Sequence, residues 1–184
     1  MELLPFLRNQ VRANRLANHR LQVAMAGLSR DDFHAPRTSF FPNLAQTLNH
    51  ILAVDLYYLA ALHGEADMER QWATFEPFDT VADWGTAQAR ADARFIALLE
   101  ALQPAQLDEL IDLDRGDHVQ RERRGHVVAH LLNHQVHHRG QAHAMLAGTS
   151  VKPPQLDEFL MPSEAHLRVA DMAALGWTEA QLFP

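Results

Sequence analysis

Asn-His-Gln-Val-His-His-Arg-Gly-Gln, the stretch from Asn133 to Gln141, holds three of the chain's twelve histidines. Residues four apart lie one turn apart on the same face of an α-helix, so His134 and His138 can direct two imidazoles at one point. Such a pair is an incomplete metal site, and a further ligand has to come from elsewhere in the chain. The stretch therefore predicts a helix that supplies two metal ligands.

The composition limits the class of protein. A chain of 184 residues with 47% hydrophobic content suits a single soluble domain, which we expect to span residues 1–184. No apolar run approaches the roughly 18 residues of a membrane span. Residues 1–9 lack the basic and then apolar pattern of a secretory signal. We therefore expect a cytoplasmic protein with no membrane partner.

The composition also limits the chemistry of the site. Cysteine is absent, so histidine and carboxylate side chains must hold any metal, and any thiol must arrive with a substrate. The formal net charge is -7, and the only concentration of basic residues is Arg121, Arg123 and Arg124. Because nucleic-acid binding needs a positive surface, we expect no nucleic-acid partner.

Apolar residues recur at helical spacing in four long segments. The predicted helices run from Leu4 to Leu28, from the N-cap Asn43 to His63, from Thr80 to a stop at Pro104, and from Arg124 to Ala147. Gly64 and Gly148 are typical residues just beyond a helix C-terminus, and Asp83 suits the acidic position of a capping box begun by Thr80. A short C-terminal helix is expected from Ser163 to about Gly176.

The segments between these helices are expected to be simple. Residues 29–42 and 65–79 are predicted as loops, and residues 107–123 as a short extended pair around a turn at Arg115-Gly116-Asp117. The fold class that fits is all-α, an antiparallel four-helix bundle with a short C-terminal helical addition packed on it.

Helical phase separates the histidines of the fourth helix. His134 and His138 share the face that is expected to look into the bundle, together with Leu131. His137 lies just beside that face, as do His130 and Gln141, whereas His126 and His143 lie further round. The strongest ligand pair is therefore His134 and His138, with His137 as the neighbour most easily confused with a ligand.

A third imidazole should come from a facing helix. His50 is preferred because it lies at the edge of the apolar arc of the second helix, and His19 and His63 are weaker alternatives. Three neutral imidazoles plus water describe a catalytic-type site for zinc or a similar ion. The competing interpretation is a solvated polar face without metal, since an isolated His-x-x-x-His pattern is weak. Gln135 stands where metalloproteases carry the glutamate of His-Glu-x-x-His.

Asp55 falls inside the apolar arc of the second helix. A carboxylate among leucines is costly unless it is paired or hydrogen-bonded. Two interpretations stay open: Asp55 is buried and satisfied by an arginine from another helix, or it orients a metal ligand.

The stretch from Leu131 to Gln141 resembles the hallmark of the DinB family of damage-inducible proteins. Further points of resemblance are Asn14-Arg15, Leu48–Leu52 with Asp55, Pro153–Asp157 and Leu175–Trp177, in the same order along the chain. The resemblance implies a four-helix bundle, usually a homodimer, with a divalent metal ion, zinc or nickel, held by His50, His134 and His138. Asp55, Arg139 and Gln141 match recurring positions whose chemistry the pattern does not fix.

Proteins of the superfamily that this chain resembles include transferases that use the low-molecular-weight thiols mycothiol and bacillithiol, and a thiol-dependent isomerase. The implied function is that of a metal-dependent enzyme, either a thiol transferase or a hydrolase, with a small-molecule substrate such as a low-molecular-weight thiol. The alternatives are a non-catalytic, stress-associated metal-binding or interaction module, and a purely structural bundle without metal.

Overall fold

Helices form most of the protein. The computed structural model describes residues 2–157 and 161–183. In chain order its helices are α1 (Leu3–Met25), α2 (Arg30–His34), α3 (Leu44–His63), α4 (Met68–Ala73), α5 (Val81–Ala101), α6 (Arg124–Leu146), α7 (Val169–Leu175) and α8 (Glu179–Leu182). The long helices α1, α3, α5 and α6 correspond to the four predicted from apolar spacing, and α1 ends at Met25 rather than at Leu28.

Capping side chains set the ends of two of these helices as predicted. Asn43 accepts the backbone N–H of Gln46 at 2.8 Å and starts α3, which ends at Gly64 with a φ of 69°. Thr80 accepts the backbone N–H of Asp83 at 3.2 Å and starts α5. These contacts satisfy backbone groups that have no partner inside a helix.

The connectors hold more structure than expected. Residues 29–42 and 65–79, predicted as loops, contain α2 and α4. The expected extended pair is the antiparallel hairpin of β1 (Leu110–Asp114) and β2 (Val119–Arg123), so the protein is mostly helical rather than all-α. At the C-terminus, Pro162–Leu167 form a 3₁₀ turn before α7, and α8 was not predicted.

The long helices pack in a cycle around one core. α1 packs mainly against α5, α5 also contacts α3, α3 packs against α6, and α6 touches α1. Trp84 is 1% exposed in this core, and its Nε1 donates to the backbone carbonyl of Leu48 at 3.0 Å. The expected C-terminal addition packs on α1, where Met172 and Leu182 bury Leu16.

Within the two described ranges, no helix combines the length and the apolarity needed to cross a membrane.

Candidate metal centre

Packing of α3 against α6 brings three histidines together. One ligand nitrogen from each of His50, His134 and His138 lies within 4.8 Å of the others. The Nε2 atoms of His50 and His134 are 3.1 Å apart. The alternatives His19 and His63 lie outside this cluster. The structure thus assembles the trio that the sequence favoured.

The imidazoles of the cluster are held in their neutral form. Burial, followed by the proximity of the His138 and His50 rings, lowers the pKa of His134 to about 3. Burial, followed by the proximity of His138, also lowers the pKa of His50. The pKa of His138 is lowered by burial, against the opposing effect of its hydrogen bond to Gln141. At neutral pH all three rings can therefore offer a nitrogen lone pair to a cation.

Gln141 determines which nitrogen of His138 faces the cluster. Its Oε1 lies 2.8 Å from His138 Nδ1, so it accepts the proton there and leaves the lone pair on Nε2. Its Nε2 lies 3.2 Å from His137 Nε2 and donates to it. The same amide therefore orients His138 toward the cluster and engages its neighbour His137, which lies outside the cluster.

Replacing Gln141 by leucine should weaken Zn²⁺ binding by about 10- to 100-fold, because residues that orient metal-bound histidines typically have effects of this size. The measurement is competition with a zinc-binding dye in metal-free buffer. The control is Asn133→Leu, which removes an exposed amide from the same helix. Equal Zn²⁺ affinities for Gln141→Leu and the wild type would show that this hydrogen bond does not support the site.

The donor set and its spacing fit a divalent transition-metal ion. Two nitrogens bound to one tetrahedral zinc ion at 2.0–2.1 Å lie about 3.3 Å apart. The separation of His50 Nε2 and His134 Nε2, 3.1 Å, is close to that value. Imidazole ligands suit zinc and nickel, and the chain has no cysteine that could select a softer ion. The cluster is therefore able to hold a metal ion.

A cavity of about 620 Å³ opens beside the three histidines. Tyr57 and Tyr58 of α3 and Trp72 of α4 form an aromatic wall. Phe40, which is 78% exposed, lies at the rim on the loop before α3. Its neighbour Phe41 packs on the ring of His50 with a centroid separation of 4.6 Å. The cluster is thus accessible to a small molecule with an apolar part.

The sequence did not identify these aromatic side chains as the wall of a cavity. Tyr57 and Tyr58 follow His50 by seven and eight residues, a spacing that places them on the same side of a helix and that could have identified them. Phe40 and Trp72 lie in segments predicted as loops, where helical phase gives no signal.

Asp55 is buried away from the histidines, at 3% exposure. It accepts hydrogen bonds from the side-chain amides of Gln88, at 2.6 Å, and Gln135. The prediction that an arginine binds Asp55 directly is wrong, because Arg139 acts on Asp55 only through its charge. Burial and then the nearby Asp92 raise the pKa of Asp55 well above its ordinary value. Among the described residues, no hydrogen bond joins Asp55 to the histidine cluster, so the alternative orienting role has no support.

Arg139 lies at the centre of a buried polar network that joins α1 to α6. Its Nη1 donates to the Oδ1 atoms of Asn14, at 2.6 Å, and Asn18, at 2.9 Å. Asn18 in turn donates to Asp92 of α5 at 3.0 Å. Burial lowers the pKa of Arg139 to about 10, against the opposing effect of Asp92, so the guanidinium stays protonated at neutral pH. Arg139 therefore joins helices in the core rather than contacting the histidine cluster.

Comparison with known proteins gives two findings. The model of the DinB family matches residues 6–170. A crystal structure of a DinB-like protein from Bacillus cereus ATCC 10987 is similar in fold, with a TM-score of 0.60 over 79% of this chain and 94% of that chain. Sequence identity to it is 14%, so this likeness concerns the fold alone. A search of curated proteins gives no match.

Proposed function

Because the chain belongs to the DinB family, we propose that it is a metal-dependent enzyme whose divalent ion, zinc or nickel, is held by His50, His134 and His138. The observation that carries the proposal is the convergence of three neutral imidazoles beside an open cavity. The proposal includes an antiparallel bundle arrangement of α1, α3, α5 and α6.

The proposed reaction is the attack of a low-molecular-weight thiol on an electrophile: a carbon–sulfur bond forms, the leaving group of the electrophile departs with its electron pair, and the thiol proton passes to solvent. Hydrolysis is the corresponding reaction of water. When bound, the ion supplies the positive charge that lowers the pKa of a thiol or water. The chain itself has no cysteine, so the sulfur has to come with the substrate. Gln141 keeps the proton of His138 on Nδ1 and its Nε2 directed at the cluster. The aromatic wall formed by Tyr57, Tyr58 and Trp72 offers a surface for the apolar part of a substrate.

The experiment uses protein purified without a histidine tag and loaded with Zn²⁺ or Ni²⁺. Bacillithiol, mycothiol or glutathione is supplied with a chlorodinitrobenzene electrophile, and thioether formation is followed by absorbance. We expect turnover that disappears with a chelator and returns when the metal is restored. The control variant is His126→Ala, which removes an exposed histidine of α6 outside the cluster.

Metal binding without turnover for all three thiols would contradict the transferase. If an ester substrate is also left intact while the metal still raises the melting temperature, the non-catalytic metal-binding module is the better description.

A further inference from the structure

Arg115 presents a guanidinium group to the cavity beside the three histidines. It lies in the turn between β1 and β2, with its Cζ 5.3 Å from the ring centroid of Tyr57 and 5.7 Å from that of Tyr58. Its Nε donates to Gln120 Oε1 at 3.1 Å, and its Nη2 donates to the Tyr58 hydroxyl at 3.3 Å. The ring contacts therefore fix its position without neutralising its charge.

The guanidinium has binding capacity left over. Arginine carries five N–H donors in a planar fork, and the acceptors of Arg115 among the described residues are neutral: the Gln120 amide and the hydroxyls of Tyr58 and Tyr57. Within residues 2–157 and 161–183, the ion pairs of the hairpin arginines join Arg121 to Asp112 and Arg123 to Asp108, and none includes Arg115. A charged donor with free N–H groups on a cavity wall is suited to an anionic group of a ligand.

The other charges of the cavity disfavour a doubly charged anion more than a singly charged one. Glu69 and Asp114 also line it, and Asp114 Oδ1 accepts the backbone N–H of Gly116 at 2.9 Å. Two carboxylates near one guanidinium would repel a dianion such as a phosphate monoester more strongly than a carboxylate. The electrostatics thus distinguish between the two common partners of arginine.

Ring contacts connect Arg115 to the histidine cluster along the wall of the cavity. A chain of ring contacts leads from His134 to His130, at 6.3 Å between centroids, and from His130 to Tyr58, at 5.1 Å. Arg115 lies beyond Tyr58. The cluster and Arg115 are therefore linked through the rings of His130 and Tyr58, and a molecule with functional groups at both ends can reach both within a cavity of about 620 Å³.

We propose that this cavity binds a small molecule with a carboxylate at one end, that Arg115 binds this carboxylate, and that the other end reaches His50, His134 and His138. The proposal rests on the proposed metal-dependent function and names the substrate class of the same site. Arg115 is then the residue that selects acidic substrates over neutral ones of the same length.

The test compares carboxylates with neutral ligands of matched length. Cobalt-loaded protein is titrated with ω-mercaptopropionate, ω-mercaptohexanoate and ω-mercaptooctanoate, and with the corresponding mercaptoalcohols, while sulfur-to-cobalt charge-transfer absorption is recorded. We expect at least one of the longer carboxylates to bind about tenfold more tightly than its alcohol, because a charge-assisted hydrogen bond forms at Arg115. Arg115→Gln should abolish this preference with an unchanged cobalt content.

The matched control is Arg121→Gln, on the same hairpin but exposed and paired with Asp112 at 2.8 Å. It should retain the preference for carboxylates. Equal affinities for carboxylate and alcohol at every length in the wild type would overturn the proposal while leaving metal-dependent thiol binding intact.

A second experiment tests carboxylate binding without using a thiol. If cobalt binds and no charge-transfer absorption appears, thiol activation fails as the function of the site. Calorimetry of octanoate against octanol then tests the carboxylate proposal. Tighter binding of octanoate that is lost in Arg115→Gln supports it, and any other result overturns it.

Discussion

His134→Ala is expected to weaken Zn²⁺ binding by more than about 100-fold, since residues that only support metal-bound histidines already contribute 10- to 100-fold. The ring of His134 contacts both other rings of the cluster, with centroid separations of 5.0 Å from His50 and 4.5 Å from His138. Its removal leaves two imidazoles on different helices. Elemental analysis of tag-free protein and titration against a competing chelator measure the effect.

The strictest control for this prediction is His137→Ala. His137 lies on the same helix and lines the same cavity, but its Nε2 is engaged by Gln141 and it is outside the cluster. Metal content should be retained in this variant, and helicity should be the same in both. Equal metal loss from His137→Ala would mean that the ligand assignment is wrong.

The two ligands on α6 could be predicted from local spacing because a helix fixes the relative direction of residues four apart. The third could not be fixed in this way. Apolar periodicity shows which side of a helix is buried, but not which helix packs against it, so His19 and His63 remained alternatives to His50. The resemblance to a family resolved that choice, and the packing of α3 on α6 agrees with it.

The cavity wall was harder to predict because it depends on how the connectors fold. Trp72 reaches the cavity through α4, and Arg115 reaches it through the hairpin turn. The positions of both depend on long-range packing rather than on local spacing. Asp55 illustrates the same limit. Its burial among leucines was evident from the sequence. Its partners Gln88 and Gln135 could not be predicted, because they are polar residues of other helices, far from Asp55 in the sequence.

Arg139→Met is expected to lower the free energy of unfolding by about 3–5 kcal/mol, the usual loss when one member of a buried charged network is removed. The substitution leaves the Oδ1 atoms of Asn14 and Asn18 without their donor, and it removes a cation from the surroundings of Asp55 and Asp92. Urea unfolding of the metal-free protein measures the change. Arg121→Met, which removes an exposed arginine, should change the free energy by less than about 1 kcal/mol.

A double-mutant cycle with Asp92→Asn shows whether this loss is electrostatic. Asp92 contributes most to raising the pKa of Arg139, and Asn18 bridges the two side chains. The two substitutions should be coupled by about 0.5–3 kcal/mol, with the double variant more stable than the sum of the single losses predicts. Strict additivity would mean that Arg139 stabilises the protein through its packing and its hydrogen bonds to Asn14 and Asn18, and not through the charge of Asp92. Because α6 carries both Arg139 and two of the cluster histidines, a coupled network also explains how the rotation of this helix is held so that His134 and His138 face His50.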